Sequence, residues 1–546
     1  MKKMMCVILA VLLLVGSFAG CAGDGGETSK TETSKTETSK TETSKAESSK
    51  EEVKEFSYPM EGDVTISVNL EDYDMADVPD YAKDNYFWEM LQENTGINLE
   101  FIGAVSNPAE PSQEFLLLLA SGEYPDMFQC NWIGFPGGPT AALVDGYIQP
   151  LDQYAEWLPN LHQFLAENPD IDRMIRNDAS ELYATPWLRE AGTEVGAGLV
   201  IREDWLDAVG KEVPTTVDEL TDAMVAIKDE FGLKNVLTFE LRWLWLQYTS
   251  APLSSAFDCV YPYFVNDGTV EFGPLTEGYK EFVSTMASWY AQGLLDTDFA
   301  TVDKSTVQAK FANGEVGVAI QQYSNVTNCI DVLTEADPSY KVAAIPSLVK
   351  NEGDTPKFSH YWAVFDGGYQ FTMSTQTDKA EAVCRFMDYS YSPEGINLCA
   401  YGTEGVSYEA DENGNFVKFT DVVLNNPLGD APSTVRNYFA HPANWTYPSR
   451  DLNYFVDEEV LGIMETWTAN MPDYVFPAVT YTADENAIVS AKYSTLDTYC
   501  REQITKFILG TSPMEEWDSF VEDIKGLGAE ELRGLAQDAY NRYMAR

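Results

Sequence analysis

The sequence predicts an α/β protein of more than one domain, and three observations carry that prediction. Residues 63–130 alternate strand-like and helix-like stretches: "DVTISVNL", then "NYFWEMLQENTGINLEF", then "EFLLLLASGEYPDMFQC". The alternation returns over residues 199–231. The body beyond residue 55 is also longer than one hydrophobic core sustains. Strands separated by helices point to a mainly parallel sheet, because parallel neighbours need a crossover connection.

Each element has a local reason. Val64, Ile66, Val68 and Leu70 alternate with polar residues, the period of a strand with one buried face. The next stretch begins as an amphipathic helix, stops at Gly96 and turns into a second strand. Residues 114–121 form a helix ended by Gly122, followed by a proline turn and a third strand that closes at Cys130. Ligands of such sheets lie beyond the carboxyl ends of the strands, which makes Asn131 and Trp132 candidates for a binding site. In "GLVIREDWLDAVGKEVPTTVDELTDAMVAIKDEF" a strand and a short helix precede a proline turn, where Thr216 and Glu219 have the spacing of a capping box opening the next helix. From about Ala487 onward the pattern is helical.

The first residues read differently. Lys2 and Lys3 precede an aliphatic run, Val7 to Val15, and then small residues, which is the layout of an export signal over residues 1–20. Phe18-Ala19-Gly20-Cys21 resembles a bacterial lipobox, with Phe18 where leucine is usual. That resemblance implies a Cys21 that is acylated and becomes the first residue of an anchored chain. Residues 21–55 hold the five-residue repeat "ETSKTETSKTETSKTETSKAESSK". Its lysines and glutamates cancel, and with no side chain to bury it reads as a disordered tether. The expected place of the body is therefore the outer face of the cytoplasmic membrane, held by lipid.

Composition excludes several function classes. The formal net charge is −52, and loss of Lys2 and Lys3 makes the exported chain more acidic still. Such a chain does not bind nucleic acid through phosphates and is repelled by anionic headgroups. Cys130, Cys259, Cys329, Cys384, Cys399 and Cys500 form no CxxC pair, so no zinc site is expected, and in a body this large they read as buried free thiols. His162, His360 and His441 sit in no HExxH or triad-like setting, and no GxSxG or phosphate loop is present. Acidic pairs such as those in "DEEV" and "MEEW" arise by chance in so acidic a chain. No enzyme and no cofactor is expected.

The segments "LLLASGEYPDMF", "VIREDWLDAVGKEVPTTVDELTDAM", "WYAQGLLDTDFA", "SPEGINLCAYGTEGVSYE" and "ITKFILGTSPMEEWDSFVEDIKGLGAEELRGLAQDAYNRY" together resemble the family 1 extracellular solute-binding lipoproteins of carbohydrate ABC importers, in particular the large branch found in Firmicutes. The resemblance runs with gaps from about residue 62 to the end. It implies a two-lobed type 2 periplasmic-binding-protein fold, like that of maltose-binding protein, whose lobes close on ligand about a hinge of crossing segments. The lobes implied are about 56–190 with 370–403, and about 191–369 with 404–546, with the C-terminal helices free to pack on either lobe. The crossings implied lie near 185–198, 360–371 and 401–408. Many members carry a calcium loop after the helix that ends here near Phe231. "GLKNVLTF" stands in that place with no ladder of carboxylates, so no metal is carried over, and "DENGN" at 411–415 reads as a turn.

A sugar site needs aromatic rings for the C–H faces of the ligand and planar polar groups for its hydroxyls. Half-burying one such ring is worth roughly 2–3 kcal/mol. "ELRWLWLQY" offers Arg242, Trp243, Trp245 and Gln247, the last three on one face if the stretch is extended. "VGVAIQQYSN" offers Gln322 and Tyr323 after a strand, and "FSHYWAVF" places Tyr361 and Trp362 at the implied hinge. Tyr408 falls at the third crossing, and "NWTYPSR" adds Tyr447 and Arg450. Arg189, Arg202, Arg242, Arg436 and Arg450 would serve an acidic sugar; a neutral oligosaccharide is the preferred expectation. The partners implied are that ligand and the transmembrane subunits of an ABC permease, with the chain acting as a monomer. The alternatives are a receptor for a sensory kinase and a surface glycoside-active enzyme.

Overall fold

The computed structural model describes residues 57–546 apart from 71–85, 103–112, 131, 134, 190–195, 247–249, 324, 327–328, 331–332, 334–336, 361–364, 415, 425–444, 447–457 and 470–473. The signal, Cys21 and the tether lie outside the described residues, as do Asn131, Gln247, Tyr361, Trp362, Tyr447 and Arg450.

The predicted opening is present. β1 (Val64–Leu70), β2 (Ile97–Phe101) and β3 (Met127–Cys130) are separated by the helices Tyr86–Thr95 and Gln113–Ser121. β1 runs parallel to both β2 and β3. β4 (Thr185–Arg189) then leads to β5 (Ala197–Arg202), which belongs to a second sheet with β6 (Leu237–Thr238), β9 (Val318–Gln322) and β10 (Val342–Ile345). Between them β7 (Tyr263–Asn266) and β8 (Thr269–Phe272) form a separate hairpin. β11 (Phe365–Met373) returns the chain to the first sheet. β12 (Tyr408–Ala410) and β13 (Phe416–Phe419) form a second hairpin, and β14 (Trp445–Thr446) lies beside β4. The sheet orders are β14-β4-β11-β3-β1-β2 and β10-β5-β9-β6.

The expectation of a mainly parallel arrangement holds for the first sheet and not for the second. β11 is antiparallel to β3 and β4, and β5 is antiparallel to both β9 and β10. The reason lies in the path of the chain. β5 and β11 carry it between the sheets, so each runs against the direction set by the strand–helix–strand units it joins.

Both sheets are covered on both faces, and alternation along the strands assigns the cover. Met127 faces a core with Ile66, Val68, Phe87, Leu91, Phe371 and Phe386, whereas Phe128 faces a second with Phe115, Trp132, Tyr183 and Ala184. In the other sheet Leu199 and Ile201 join one core and Val200 joins the opposite one. The helix Val217–Phe231 opens with the predicted capping box: the Glu219 N–H donates to Thr216 Oγ1 at 3.2 Å and the Thr216 N–H donates to Glu219 Oε2 at 3.1 Å. The predicted C-terminal helices are Ala483–Ile508, Trp517–Gly526 and Ala529–Ala545, and they pack on the core of the four-stranded sheet through Leu496, Ile504, Phe520, Leu532 and Ala536. The six cysteines among the described residues are buried free thiols.

Close approach of backbone fixes one glycine. A Cβ at Gly198 would lie 2.4 Å from the indole of Trp467, whose Nε1 donates to the carbonyl of Leu199 at 3.1 Å. The helix Glu458–Thr468 is docked on β5 by this contact. Among the described residues no helix is long and apolar enough to cross a membrane.

Candidate functional site

The loop after β3 is where the sheet presents its carboxyl end, and its local chemistry gives it a fixed shape. Trp132 is fully buried, with its ring edge-on to Phe115, Phe128 and Phe135 at centroid distances of 5.1–5.8 Å. Its Nε1 donates to Thr372 Oγ1 of β11 at 2.9 Å. Gly137 and Gly138 both take the left-handed conformation (φ 85° and 66°), and a Cβ at Gly137 would meet that of Ala141 at 2.6 Å. The pair turns the loop into the short helix Gly138–Val144.

Opposite this loop stands the start of the helix Ala483–Ile508. Thr482 and Glu485 form a second capping box, with the Glu485 N–H donating to Thr482 Oγ1 at 3.3 Å and the Thr482 N–H donating to Glu485 Oε2 at 2.9 Å. Arg542 holds the same carboxylate through both Nη atoms at 2.9 and 2.5 Å. Burial pushes the Glu485 carboxyl up, but the Arg542 and Thr482 contacts outweigh it and the net shift is downward. The next residue, Asn486, donates from Nδ2 to the carbonyl of Gly137 at 2.7 Å and to that of Tyr481 at 3.1 Å.

Between loop and helix lies a groove of about 420 Å³. One wall is residues 133 and 135–140; the other includes Thr480, Tyr481, Asn486, Ser490 and Tyr493. Rings, hydroxyls and an amide therefore converge from elements packed on the two different sheets. Burial raises the Tyr481 phenol to about 12, with Glu485 adding to the shift and Arg542 opposing it, so that hydroxyl keeps its proton at neutral pH. Thr140 Oγ1 is buried with no hydrogen-bond partner among the described residues.

The predicted site residues fall in several places. Trp132 lies one layer behind the groove, in the core that supports Phe135. The stretch from 240 is not extended: Leu241–Leu244 is a turn of 3₁₀ helix, so Trp243 and Trp245 do not share a strand face. Both are buried in the core, Trp243 edge-on to His360 at 5.4 Å and Trp245 edge-on to Tyr261 at 5.5 Å. The sequence misled here because an alternation of Trp and Leu fits a tight helical turn as well as a strand. Arg242 pairs with Glu240 at 2.9 Å and lies over the Trp243 ring at 5.1 Å. Gln322 ends β9 and Tyr323 follows it, both half-buried. Their neighbour Gln321 is buried, with Oε1 accepting from Asn325 at 3.4 Å and Nε2 unpaired among the described residues. Tyr408 is buried in the β12–β13 hairpin against Tyr401 and Phe416, so residues 401–408 lead into that hairpin and not across to a sheet. The described part of "DENGN", residues 411–414, is a turn, with Asp411 Oδ1 accepting the Asn413 N–H at 2.8 Å. Near the place where the family resemblance would put a calcium loop, Lys228 Nζ donates to the carbonyls of Gln292 and Gly293 at 2.7 and 3.0 Å.

The family profile of bacterial extracellular solute-binding proteins matches residues 73–396, more than half of the chain. The chain belongs to that family. Among curated relatives, this solute-binding protein is 21% identical over 500 residues to the fructooligosaccharide ABC transporter substrate-binding protein FusA of Streptococcus pneumoniae, covering 84% of this chain and 87% of the relative. It is 24% identical over 439 residues to the lipoprotein LipO of Bacillus subtilis, covering 77% and 82%. Among solved structures, the alginate-binding protein AlgQ2 without calcium superposes with a TM-score of 0.70 at 20% identity, over 88% of this chain and 99% of that one. The fold is thus the two-lobed solute-binding fold. The family role is capture of a solute outside the cytoplasm, not its transformation.

Sequence reasoning missed Thr480, Tyr481, Asn486 and Tyr493 in this solute-binding protein. The signal for the helix start was present in "TADEN", a Thr followed three residues later by Glu. What the sequence did not carry was which distant loop that helix would face.

Proposed function

We propose that this chain is the capture component of an ABC importer and binds a neutral oligosaccharide in the groove between the loop 133–140 and the residues 479–494. The observation that carries the reading is the make-up of the groove: Phe135, Tyr481 and Tyr493 offer ring faces, and Thr140, Ser490 and Ser494 offer hydroxyls, with Asn486 adding an amide oxygen. No lysine or arginine is among the described lining residues, which favours a neutral sugar over a uronic acid. The ligand named for FusA supports the same class.

In this reading the six-stranded sheet, with β14, centres one lobe and the four-stranded sheet with the C-terminal helices centres the other. Ligand contacts from both walls add to the bonds that already join the two sides, and the permease recognises the liganded arrangement. Cys21 carries lipid, and the repeat 27–50 lets a monomeric body reach the permease from the outer membrane face. The lipobox resemblance and the lipoprotein relative support the anchor.

The test is a thermal-shift screen of the mature chain against neutral oligosaccharides, uronic-acid oligosaccharides, peptides and amino acids. Saturating the site to a hundred times the dissociation constant adds about 2.7 kcal/mol. A rise with neutral oligosaccharides that Tyr481→Ala abolishes is expected. A rise confined to uronic acids or peptides overturns the neutral-sugar assignment.

A further inference from the structure

Behind the groove wall a cluster of charges joins elements that belong to different cores. Asp178 lies in the segment 173–182, whose Ile175 and Leu182 are buried in the core of the six-stranded sheet. Arg542 and Arg546 end the helix Ala529–Ala545, whose Ala529, Leu532 and Ala536 are buried in the core of the four-stranded sheet. Arg542 Nε donates to Asp178 Oδ2 at 2.6 Å. Arg546 donates to Asp178 Oδ1, and Thr480 Oγ1 donates to the same oxygen at 2.9 Å. Arg546 also donates to the Thr480 hydroxyl at 2.6 Å and to the carbonyls of Arg173, at 3.2 Å, and Arg176. The other face of Arg542 is taken by Glu485, the residue before Asn486. The side chains of Asp178 and Arg546 are only 12% and 6% exposed.

We infer that Asp178, Arg542 and Arg546 form a latch between the two halves of the fold that holds the groove at ligand-binding width. Three features carry it. The cluster balances two guanidinium groups against Asp178 and Glu485 through charge-assisted bonds, so removing one partner leaves the others poorly compensated. It crosses from one core to the other, so any separation of the two must break it. It also ends on the groove: Thr480 is a wall residue bound directly to Asp178, and Glu485 fixes the helix turn that presents Asn486 to Gly137. The latch has a force to oppose. In a chain of net charge −52 both halves are acidic, and their repulsion favours an open groove. Asp178 is a positioning residue in this account. It touches no ligand and acts through Thr480 and the helix start. The inference rests on the groove being the capture site.

The experiment measures the separation of the halves without any ligand. Labels on Glu167→Cys and Glu530→Cys, both exposed positions, report the distance between the halves by pulsed electron resonance, since the six described native thiols are buried. Wild type is expected to show one narrow distance. Asp178→Asn is expected to shift or broaden it toward larger separation and to weaken binding of the neutral trisaccharide kestose by about tenfold, as the competent fraction falls. Asp178→Glu, which keeps the charge, is expected to restore the narrow distance. Should Asp178→Asn not fold, Arg542→Gln at the more exposed end of the cluster gives the same readout. Variants that fold and keep the wild-type distance overturn the latch. If no neutral oligosaccharide, kestose included, binds wild type while the distance still widens in the variants, the latch stands and the sugar reading falls.

Discussion

The side-chain amide of Asn486 crosses the groove and donates to the backbone carbonyl of Gly137 at 2.7 Å, joining residues 349 positions apart in the chain. A second bond from the same amide, to the Tyr481 carbonyl at 3.1 Å, holds it in line. The groove thus has a tie across it independent of any ligand. Asn486→Ala removes the tie and leaves the Gly137 carbonyl to water. The expected effect is about fivefold weaker ligand binding, equivalent to about 1 kcal/mol, with little change in melting temperature. Calorimetric titration beside a thermal melt checks it, and an unchanged affinity refutes it.

Trp132 gives a sharper separation of support from contact. Its indole N–H is bound to Thr372, and its ring is enclosed by three phenylalanines. Trp132→Phe keeps a ring but removes the donor to the buried Thr372 hydroxyl, which keeps only its longer bond to the Phe128 carbonyl at 3.5 Å, at a cost of about 1–3 kcal/mol. The denaturant midpoint should fall while ligand affinity stays within about twofold. If affinity collapses and stability does not, Trp132 contacts the ligand after all.

Gly198→Ala should act at a distance from the groove. Its methyl would overlap the Trp467 indole, 2.4 Å away in the present packing. Overpacking of this kind costs typically about 1–3 kcal/mol, and here it would lift the helix Glu458–Thr468 from β5. A lowered melting temperature together with a red shift in tryptophan emission is the expected result. An unmoved emission maximum would show that the helix docks by other means.

Asp388 makes stability depend on pH in an unusual direction. Burial raises its carboxyl from 3.8 to about 6, even though it accepts from the Leu161 N–H at 2.9 Å and Asn160 Nδ2 at 2.7 Å. Between those two values the unfolded chain has released the proton and the folded chain still holds it. The contribution of Asp388 to stability is therefore full below 3.8 and is lost progressively as the pH rises from there through about 6, by about 3 kcal/mol for a shift of this size. Asp126 and Asp296 run the other way. Burial raises each, but Ser67, Thr377 and Lys379 in one case, and Lys310, Asp298 and Thr238 in the other, more than offset it. Their contributions are present above the ordinary carboxyl value and are lost in acid. The stability of Asp388→Asn relative to wild type should rise with pH from 3.8 to about 6 and then level off. A difference that is flat across that range would exclude the effect.

Local elements were legible in the sequence, and their assembly was not. Val64 to Leu70, Gly96, Gly122 and the Thr216–Glu219 box each declare themselves within a few residues, because periodicity and capping are short-range physics. The antiparallel run of β5 escaped notice because nothing within residues 197–202 records that β9 and β10 will flank it. Three of the aromatic candidates proved to be core residues for a related reason. Trp243, Trp245 and Tyr408 are large rings in polar company whether they face a core or a ligand, and only burial separates the two. The residues that line the groove were hidden by distance. Phe135 and Tyr493 have no signal in common, and the groove they share exists only after the loop of one sheet meets the helix of the other.

That distance has a consequence for quality control. The walls of the groove are contributed by residues near 135 and near 485, so no amino-terminal fragment ending before the second wall can hold a ligand in it. A chain clipped between them, or stalled during export, would carry much of the first sheet and still be silent. If the groove is the capture site, its occupancy therefore requires that both segments, 349 residues apart in the chain at Gly137 and Asn486, are present and folded together.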